Sequence, residues 1–255
     1  MLVIAHVSDL HLGGSPEAER RAQRVLDHVA AMRPEVDVVV VTGDVADHGL
    51  PEEYAAAERL LGSSLGTAPV LVCPGNHDVR STYAAWRGLP ADRPADTAHR
   101  VGGHLFLMLD SLVPARAGQR VDHGELEAAS LTWLDEQLAA RAPGEPAVVC
   151  LHHPPVPIHV ALMDPIRLRD AERLEAVLRR HRDVVAVLVG HAHTAGATTF
   201  AGRPLLIGGG TASTVTLDAE ELPVITEQLG PTFAVHLADD GGRVVSHWRT
   251  LAADG

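Results

Sequence analysis

The chain has 255 residues and a formal net charge of −12, from 21 Lys and Arg against 33 Asp and Glu. Apolar residues make up 46% and charged residues 21%, a globular balance that excludes a disordered or fibrous chain. The acidic excess argues against a nucleic-acid polymer as main partner, since that needs clustered Lys and Arg to displace counterions, but a small anion remains possible if cations line its site.

The first run, Leu2–Val7, reads as a strand and leads into Asp9-Leu-His11 with no basic leader before it. No unbroken apolar stretch approaches the ~18 residues of a membrane span, so no membrane partner is expected and the default location is the cytoplasm. Glu17–Met32 has Val25, Val29 and Met32 at helical spacing. Val36–Val41 is nearly all apolar, as in a strand buried on both faces. Glu52–Leu61 reads as a helix with Pro51 in its first turn, and Val70–Cys73 as the next strand. Pro90–Gly103 carries Pro, Asp and Gly and reads as a loop. His104–Leu109 is a strand, Leu126–Ala140 a helix, Val148–Leu151 a strand, Ala171–His181 a helix and Val184–Val189 a strand. Thereafter helices stop. Thr198–Phe200 with Pro204–Ile207, and Phe233–Leu237 with Val244–Trp248, read as hairpins around Gly202 and Asp239–Gly242.

Strands alternating with helices imply a largely parallel α/β architecture, with two sheets facing each other and helices outside. No linker, repeat or low-complexity tract interrupts the chain, so one domain over residues 1–255 is expected. Gly208–Gly230 has no clear period and is expected to be a mobile or edge segment where a substrate lid could lie. Cys73 and Cys150 each end an apolar run, which predicts buried, reduced thiols.

Five motifs carry chemistry: Asp9-Leu-His11, Gly43-Asp44, Gly75-Asn76-His77-Asp78, His152-His153-Pro154-Pro155 and Gly190-His191-Ala192-His193. Each follows a predicted strand directly, and open α/β sheets bind ligands at the carboxyl ends of strands. On an extended chain residues i and i+2 point the same way, which pairs Asp9 with His11 and His191 with His193. Imidazole, carboxylate and amide without thiolate suit Mn, Fe or Zn in a hydrolytic site. More than four candidate ligands imply two ions, with a carboxylate such as Asp44 as bridge. Two such metals can hold a hydroxide for in-line attack on a phosphoryl group. Asp-x-His and Gly-Asp say little alone, Gly-Asn-His-Asp says more and Gly-His-x-His after a strand the most, while a lone histidine is more often structural; the order and common placement of all five carry the argument.

That order resembles the calcineurin-like metallophosphoesterase superfamily, from Ser8 to His193. The resemblance implies a four-layer α/β/β/α sandwich of two mixed sheets and a dinuclear centre. Asp9, His11, Asp44 and His193 would hold one ion, and Asp44, Asn76, His152 and His191 the other. The superfamily's Ser/Thr protein phosphatases carry arginines where this chain has His48 and Pro74, which argues against that branch. Its nucleases share the Ser8–Gly13 start but add capping domains and a basic face. Leu151–Pro157, Leu168-Arg-Asp170, Val189–His193, Asp44–Asp47 and Leu109-Asp-Ser111 look most similar to bacterial class III cyclic-nucleotide phosphodiesterases. These are commonly dimeric, so the resemblance leaves a homodimer open, while the sequence itself does not set the oligomeric state.

The resemblance thus implies a dinuclear metal-dependent phosphodiesterase for 3′,5′- or 2′,3′-cyclic nucleotides or other small diesters. Asn76 would offset phosphoryl charge and His77 would protonate the leaving oxygen or bond a phosphate oxygen. Asp47, Asp78 and His153 are candidates to orient these groups, and His99, Arg167 and Arg169 to touch substrate. The competing readings are a phosphomonoesterase or nucleotidase for a small metabolite, and a non-catalytic metal-dependent binding module.

Overall fold

The computed structural model describes residues 1–65 and 67–253. Its first half runs β1 (Leu2–Val7), α1 (Pro16–Ala30), β2 (Val38–Thr42), α2 (Pro51–Ser64), β3 (Val70–Cys73), α3 (Arg80–Arg87), β4 (Thr97–Val101), β5 (His104–Met108) and α4 (Ala128–Ala139). The second runs β6 (Ala147–Cys150), α5 (Ala171–Arg180), β7 (Val184–Val189), β8 (Gly196–Phe200), β9 (Arg203–Ile207), β10 (Thr214–Val215), β11 (Ile225–Thr226), β12 (Thr232–Ala238) and β13 (Val244–Thr250). A short 3-10 turn covers Asp164–Ile166.

The strands form a sheet ordered β13-β12-β1-β2-β3, another ordered β4-β5-β6-β7-β9-β8, and the small ladder β10-β11. β1, β2 and β3 are mutually parallel, as are β5, β6, β7 and β9, while β12, β13, β4 and β8 pair antiparallel. Both sheets are therefore mixed.

Side-chain alternation explains the layering, because successive residues of a strand face opposite ways. Leu2, Ile4, Val38, Val40, Leu71 and Cys73 of the first sheet meet Phe106, Met108, Val148, Cys150, Ala186 and Leu188 of the second in one buried core. Their neighbours Val3, Ala5, Val7, Val39, Val41 and Val72 turn outward onto α1 and α2. Leu105, Leu107, Val149, Val187 and Val189 turn outward onto Leu131, Leu134 and Leu138 of α4 and Leu174 and Leu178 of α5. β1, β2, β5 and β6 are thus buried on both faces along their whole length, which is why such strands read as largely apolar runs. The expected helix–sheet–sheet–helix sandwich results. Cys73 and Cys150 are free and buried, as expected.

Local signals set the helix starts. The Ser15 hydroxyl accepts the Ala18 N–H (3.0 Å) ahead of Pro16, and the Glu53 carboxylate accepts the Leu50 N–H (2.9 Å) ahead of Pro51. Two elements depart from expectation. β4 lies inside Pro90–Gly103, read as a loop, and pairs His99 with Phe106 at the sheet edge. Its partly exposed Thr-Ala-His-Arg-Val sequence lacks the apolar run of a central strand. The eight-residue α3 was not anticipated either. Among the described residues no helix is long and apolar enough to cross a membrane.

Candidate metal centre

The motifs after β1, β2, β3, β6 and β7 converge. Their turns are sharper than extended strands allow. Asp9, His11, Asp44, His191 and His193 have φ of 56°, 45°, 48°, 67° and 49°, five of the nine non-glycine residues with positive φ among the described residues. Such conformations cost roughly 1–3 kcal/mol each and persist where surrounding structure over-determines them. Hydrogen bonds supply that: the Asp9 N–H donates to Gly43 O (3.2 Å), His11 N–H to Asp44 O (2.9 Å) and Gly190 N–H to His152 O (2.9 Å). Gly43 (φ 87°) has no room for a side chain, since a Cβ there would strike the His152 ring. A Cβ on Gly75 would strike the Asp44 carboxylate.

Two donor groups result. In one, Asp9, His11, Asp44 and His193 bring their ligand atoms together. His11 Nε2 lies 3.1 Å from His193 Nε2 and 3.6 Å from Asp44 Oδ2, and His193 Nε2 lies 3.5 Å from Asp9 Oδ1. In the other, His152 Nε2 lies 3.1 Å from Asn76 Oδ1, 3.2 Å from His191 Nδ1 and 3.3 Å from Asp44 Oδ2. Donors ~2.1 Å from a common ion would stand about 3.0–3.4 Å apart, close to these spacings. The same Asp44 oxygen, Oδ2, belongs to both groups, while Oδ1 accepts the His77 N–H (2.8 Å).

The proton inventory tests whether a cation fits. His11 Nδ1 donates to Asp47 Oδ1 (2.8 Å), His152 Nδ1 to Thr42 O (2.6 Å) and His193 Nδ1 to Ser213 O (3.1 Å). When neutral, each ring then keeps its lone pair on Nε2. The lone pairs of His11 and His193 face each other at 3.1 Å, and that of His152 faces the Asn76 oxygen at 3.1 Å. These contacts repel unless positive charge lies between them. Asp9 Oδ2 is likewise buried without a hydrogen-bond partner. The residues present fit two metal ions.

Electrostatics favour the binding forms of Asp44, His191 and His193, while His152 would give up a proton to an ion. Burial pushes Asp9 up to about 6, and the Asp44 charge adds to this against opposing histidines. Burial also acts to raise Asp44, yet the charge and hydrogen bond of His152, with His11 and His77, together hold that carboxyl well below its ordinary range. Burial lowers His193 to about 4 and holds His191 well below the usual imidazole range. For His152 burial acts to lower the pKa, but the Asp44 charge and hydrogen bond, the Asp9 charge and the Thr42 carbonyl together raise it to about 9. At pH 7 both carboxylates are ionised and His191 and His193 neutral, as ligands must be.

The other expected residues lie as follows. The His77 Nδ1 is 3.0 Å from Asp47 O and 3.2 Å from Asp47 Oδ1, and its ring packs edge-on against His11. Burial opposes protonation of His77, but the Asp47 and Asp44 contacts hold its pKa above the ordinary value. Asp47 therefore touches both His11 and His77. Asp78 does not face the His77 ring. Its carboxylate accepts from Gly75 N (2.8 Å), Ala46 N (3.1 Å) and Tyr54 Oη (2.9 Å), tying the loops after β2 and β3 together. His153 lies beside His152 and His191, with Nδ1 2.8 Å from Ser111 Oγ and Nε2 3.2 Å from Asp122 O. The three cavities bordering the cluster are lined by neither His99, Arg167 nor Arg169. His99 sits on edge strand β4 against Thr97 Oγ1 (3.0 Å), and the two arginines line a cavity beside α5.

Sequence reasoning missed three participants. Thr42 and Ser213 act through carbonyl oxygens, which any residue supplies. Arg120 comes from an irregular loop without a motif, yet its Nη1 lies 2.9 Å from His77 Nδ1 and its Nε donates to Asp122 Oδ1 (2.6 Å). Gly208–Gly230 runs past the centre: the Thr211 and Ala212 N–H groups donate to Ser8 O and Asp9 O, and Ser213 contacts His193.

Comparison with known proteins agrees with this geometry. A probable cyclic nucleotide phosphodiesterase of Rhodococcus erythropolis is 36% identical over 227 residues, covering 85% of this chain and 73% of that protein. A glycerophosphodiester phosphodiesterase of Enterobacter lignolyticus is 30% identical over 213 residues, covering 78% and 73%. The solved structure of a dimetal phosphatase from Danio rerio superposes with a TM-score of 0.66 at 17% identity over 92% of each chain, a likeness of fold. The family model for calcineurin-like phosphoesterases matches residues 2–195, and the chain belongs to that family.

Proposed function

We propose that the chain is a dinuclear metal-dependent phosphodiesterase for cyclic nucleotides or similarly small phosphodiesters. The observation that carries this is the shared Asp44 Oδ2, 3.6 Å from His11 Nε2 in one donor group and 3.3 Å from His152 Nε2 in the other. In this reading Asp9, His11, Asp44 and His193 hold one ion, and Asp44, Asn76, His152 and His191 the other. The mixed nitrogen and oxygen donors suit Mn, Fe or Zn. Bound there, the ions supply an activated water near neutral pH and positive charge for the phosphoryl oxygens.

The chain's own residues do the rest. The Asn76 side chain orients a phosphoryl oxygen through its amide N–H. The two Asp47 oxygens within 3.2 Å of His77 Nδ1, with the Asp44 charge, favour a proton there against the opposing Arg120 guanidinium and fix the ring. Its Nε2 then faces the leaving oxygen and delivers a proton to it. Relatives named for cyclic-nucleotide and glycerophosphodiester hydrolysis support a small diester as substrate. A net charge of −12 supports a reading without a nucleic-acid polymer.

The test compares turnover of bis-p-nitrophenyl phosphate, p-nitrophenyl phosphate and 3′,5′-cyclic AMP with Mn²⁺. Hydrolysis of the diesters well above the monoester is expected. A strong preference for the monoester would make the chain a phosphomonoesterase instead, and metal binding without turnover of any ester would make it a binding module.

A further inference from the structure

The mouth of the centre has two unlike sides. A cavity of about 240 Å³ opens onto Asp44, Asn76, His77, His191 and His193. Arg120 stands on its polar side. Arg120 Nε pairs with Asp122 and Nη1 touches His77, while Nη2 makes no hydrogen bond among the described residues. The same cavity is also lined by Leu162, Met163, Ile166, Val215 and Ile225.

This apolar wall is preformed. Val215 and Met163 are buried with Val160 in one cluster, against which Ile166 packs, so the β10–β11 ladder and the 158–166 segment are joined. At its lip Ile225 is 58% exposed and Leu162 42% exposed. Large aliphatic side chains left in water beside a polar metal centre gain free energy from an apolar group laid over them. The cavity is smaller than the ~300 Å³ or more usual for drug-sized ligands, so it suits a single ring system and not a folded partner. With Arg120 in the same lining, polar oxygens have N–H groups to take and an apolar portion has the aliphatic wall.

We propose that this wall seats a flat apolar substituent of the diester, an aromatic ring or nucleobase on the non-leaving side, and so sets substrate preference. The inference rests on the phosphodiesterase reading and names the substrate class within it. The test keeps the leaving group constant by comparing thymidine 5′-(p-nitrophenyl phosphate) with methyl p-nitrophenyl phosphate. Wild type should prefer the thymidine ester by about tenfold in kcat/KM, expressed in KM. The Leu162→Ser/Ile225→Ser double variant should reduce that preference to about twofold, the loss falling more on the thymidine ester than on the methyl ester. Ile225→Ser, a milder change at an exposed position, should fall between if the double variant folds poorly. Equal use of both esters by wild type would overturn the inference, as would equal losses on both in Ile225→Ser. A shift in oligomeric state on size exclusion, with preference unchanged, would assign the wall to a second copy of the chain and also overturn it. Failure of wild type to hydrolyse either ester would instead reject the phosphodiesterase reading itself.

Discussion

The floor and the mouth of the candidate site are built by different means. The floor hangs from five strand ends, held by strained backbone, crossed hydrogen bonds and glycines whose Cβ positions are already filled. The mouth is made of the Arg120 loop, the 158–166 segment and the β10–β11 ladder, with Leu162 and Ile225 open to water. Rigid strand ends suit groups that must be fixed to fractions of an ångström, whereas loops change at little cost to the fold. On the proposed reading the floor would specify the chemistry and the mouth would select the substrate, and substitutions should divide accordingly.

The largest effect belongs to the floor. Asp44→Ala removes the oxygen common to both donor groups and should abolish turnover of bis-p-nitrophenyl phosphate under Mn²⁺; near-normal turnover would break the division. His77→Ala, at the border, should keep the metals but lose on the order of 10²–10⁴-fold in rate. That loss should be greatest for a nucleoside 3′-oxygen, a poor leaving group, and least for p-nitrophenolate. Equal losses on both esters would mean that His77 stabilises phosphoryl oxygens.

Arg120→Ala belongs to the mouth and should raise KM about tenfold with little change in kcat, the size expected for one charge-assisted contact. A collapse of kcat with KM unchanged would move Arg120 into the chemistry.

The smallest effect should come from beneath the floor, and it concerns stability alone. His6 Nε2 lies 2.8 Å from Thr42 Oγ1 and His6 Nδ1 3.2 Å from His236 Nε2 in the buried interior. Burial lowers His236 to about 4 from 6.5, so the folded state holds it neutral while the unfolded chain takes up a proton. Its contribution is complete above pH ~6.5 and lost as pH falls towards 4. His236→Gln should therefore show a shallower fall in Tm between pH 7 and 5 than wild type, with kcat preserved at pH 7. Parallel Tm profiles would refute this.

The same contrast explains what was legible in the sequence. Val70–Cys73 and Val184–Val189 were readable to the residue because strands buried on both faces must be continuously apolar. Their ends were readable because Gly-Asn-His and Gly-His-x-His interrupt those runs abruptly. Edge strand β4, with alternating partial exposure, was not. The pairing of Asp9 with His11 was anticipated from an extended chain, but both residues are left-handed, so the turn and not the strand pleat aims them. Thr42 and Ser213 were invisible because their carbonyl oxygens carry no side-chain signature. Arg120 was invisible because its loop approaches His77 only in three dimensions, 43 residues away along the chain.

The most direct test of the shared carboxylate is metal stoichiometry by elemental analysis after Mn²⁺ loading and desalting. Wild type should hold about two ions per chain. His11→Ala and His152→Ala, each confined to one donor group, should hold about one, and Asp44→Ala fewer than either. A wild-type value of one ion or none, or an Asp44→Ala variant that retains two, would contradict the account.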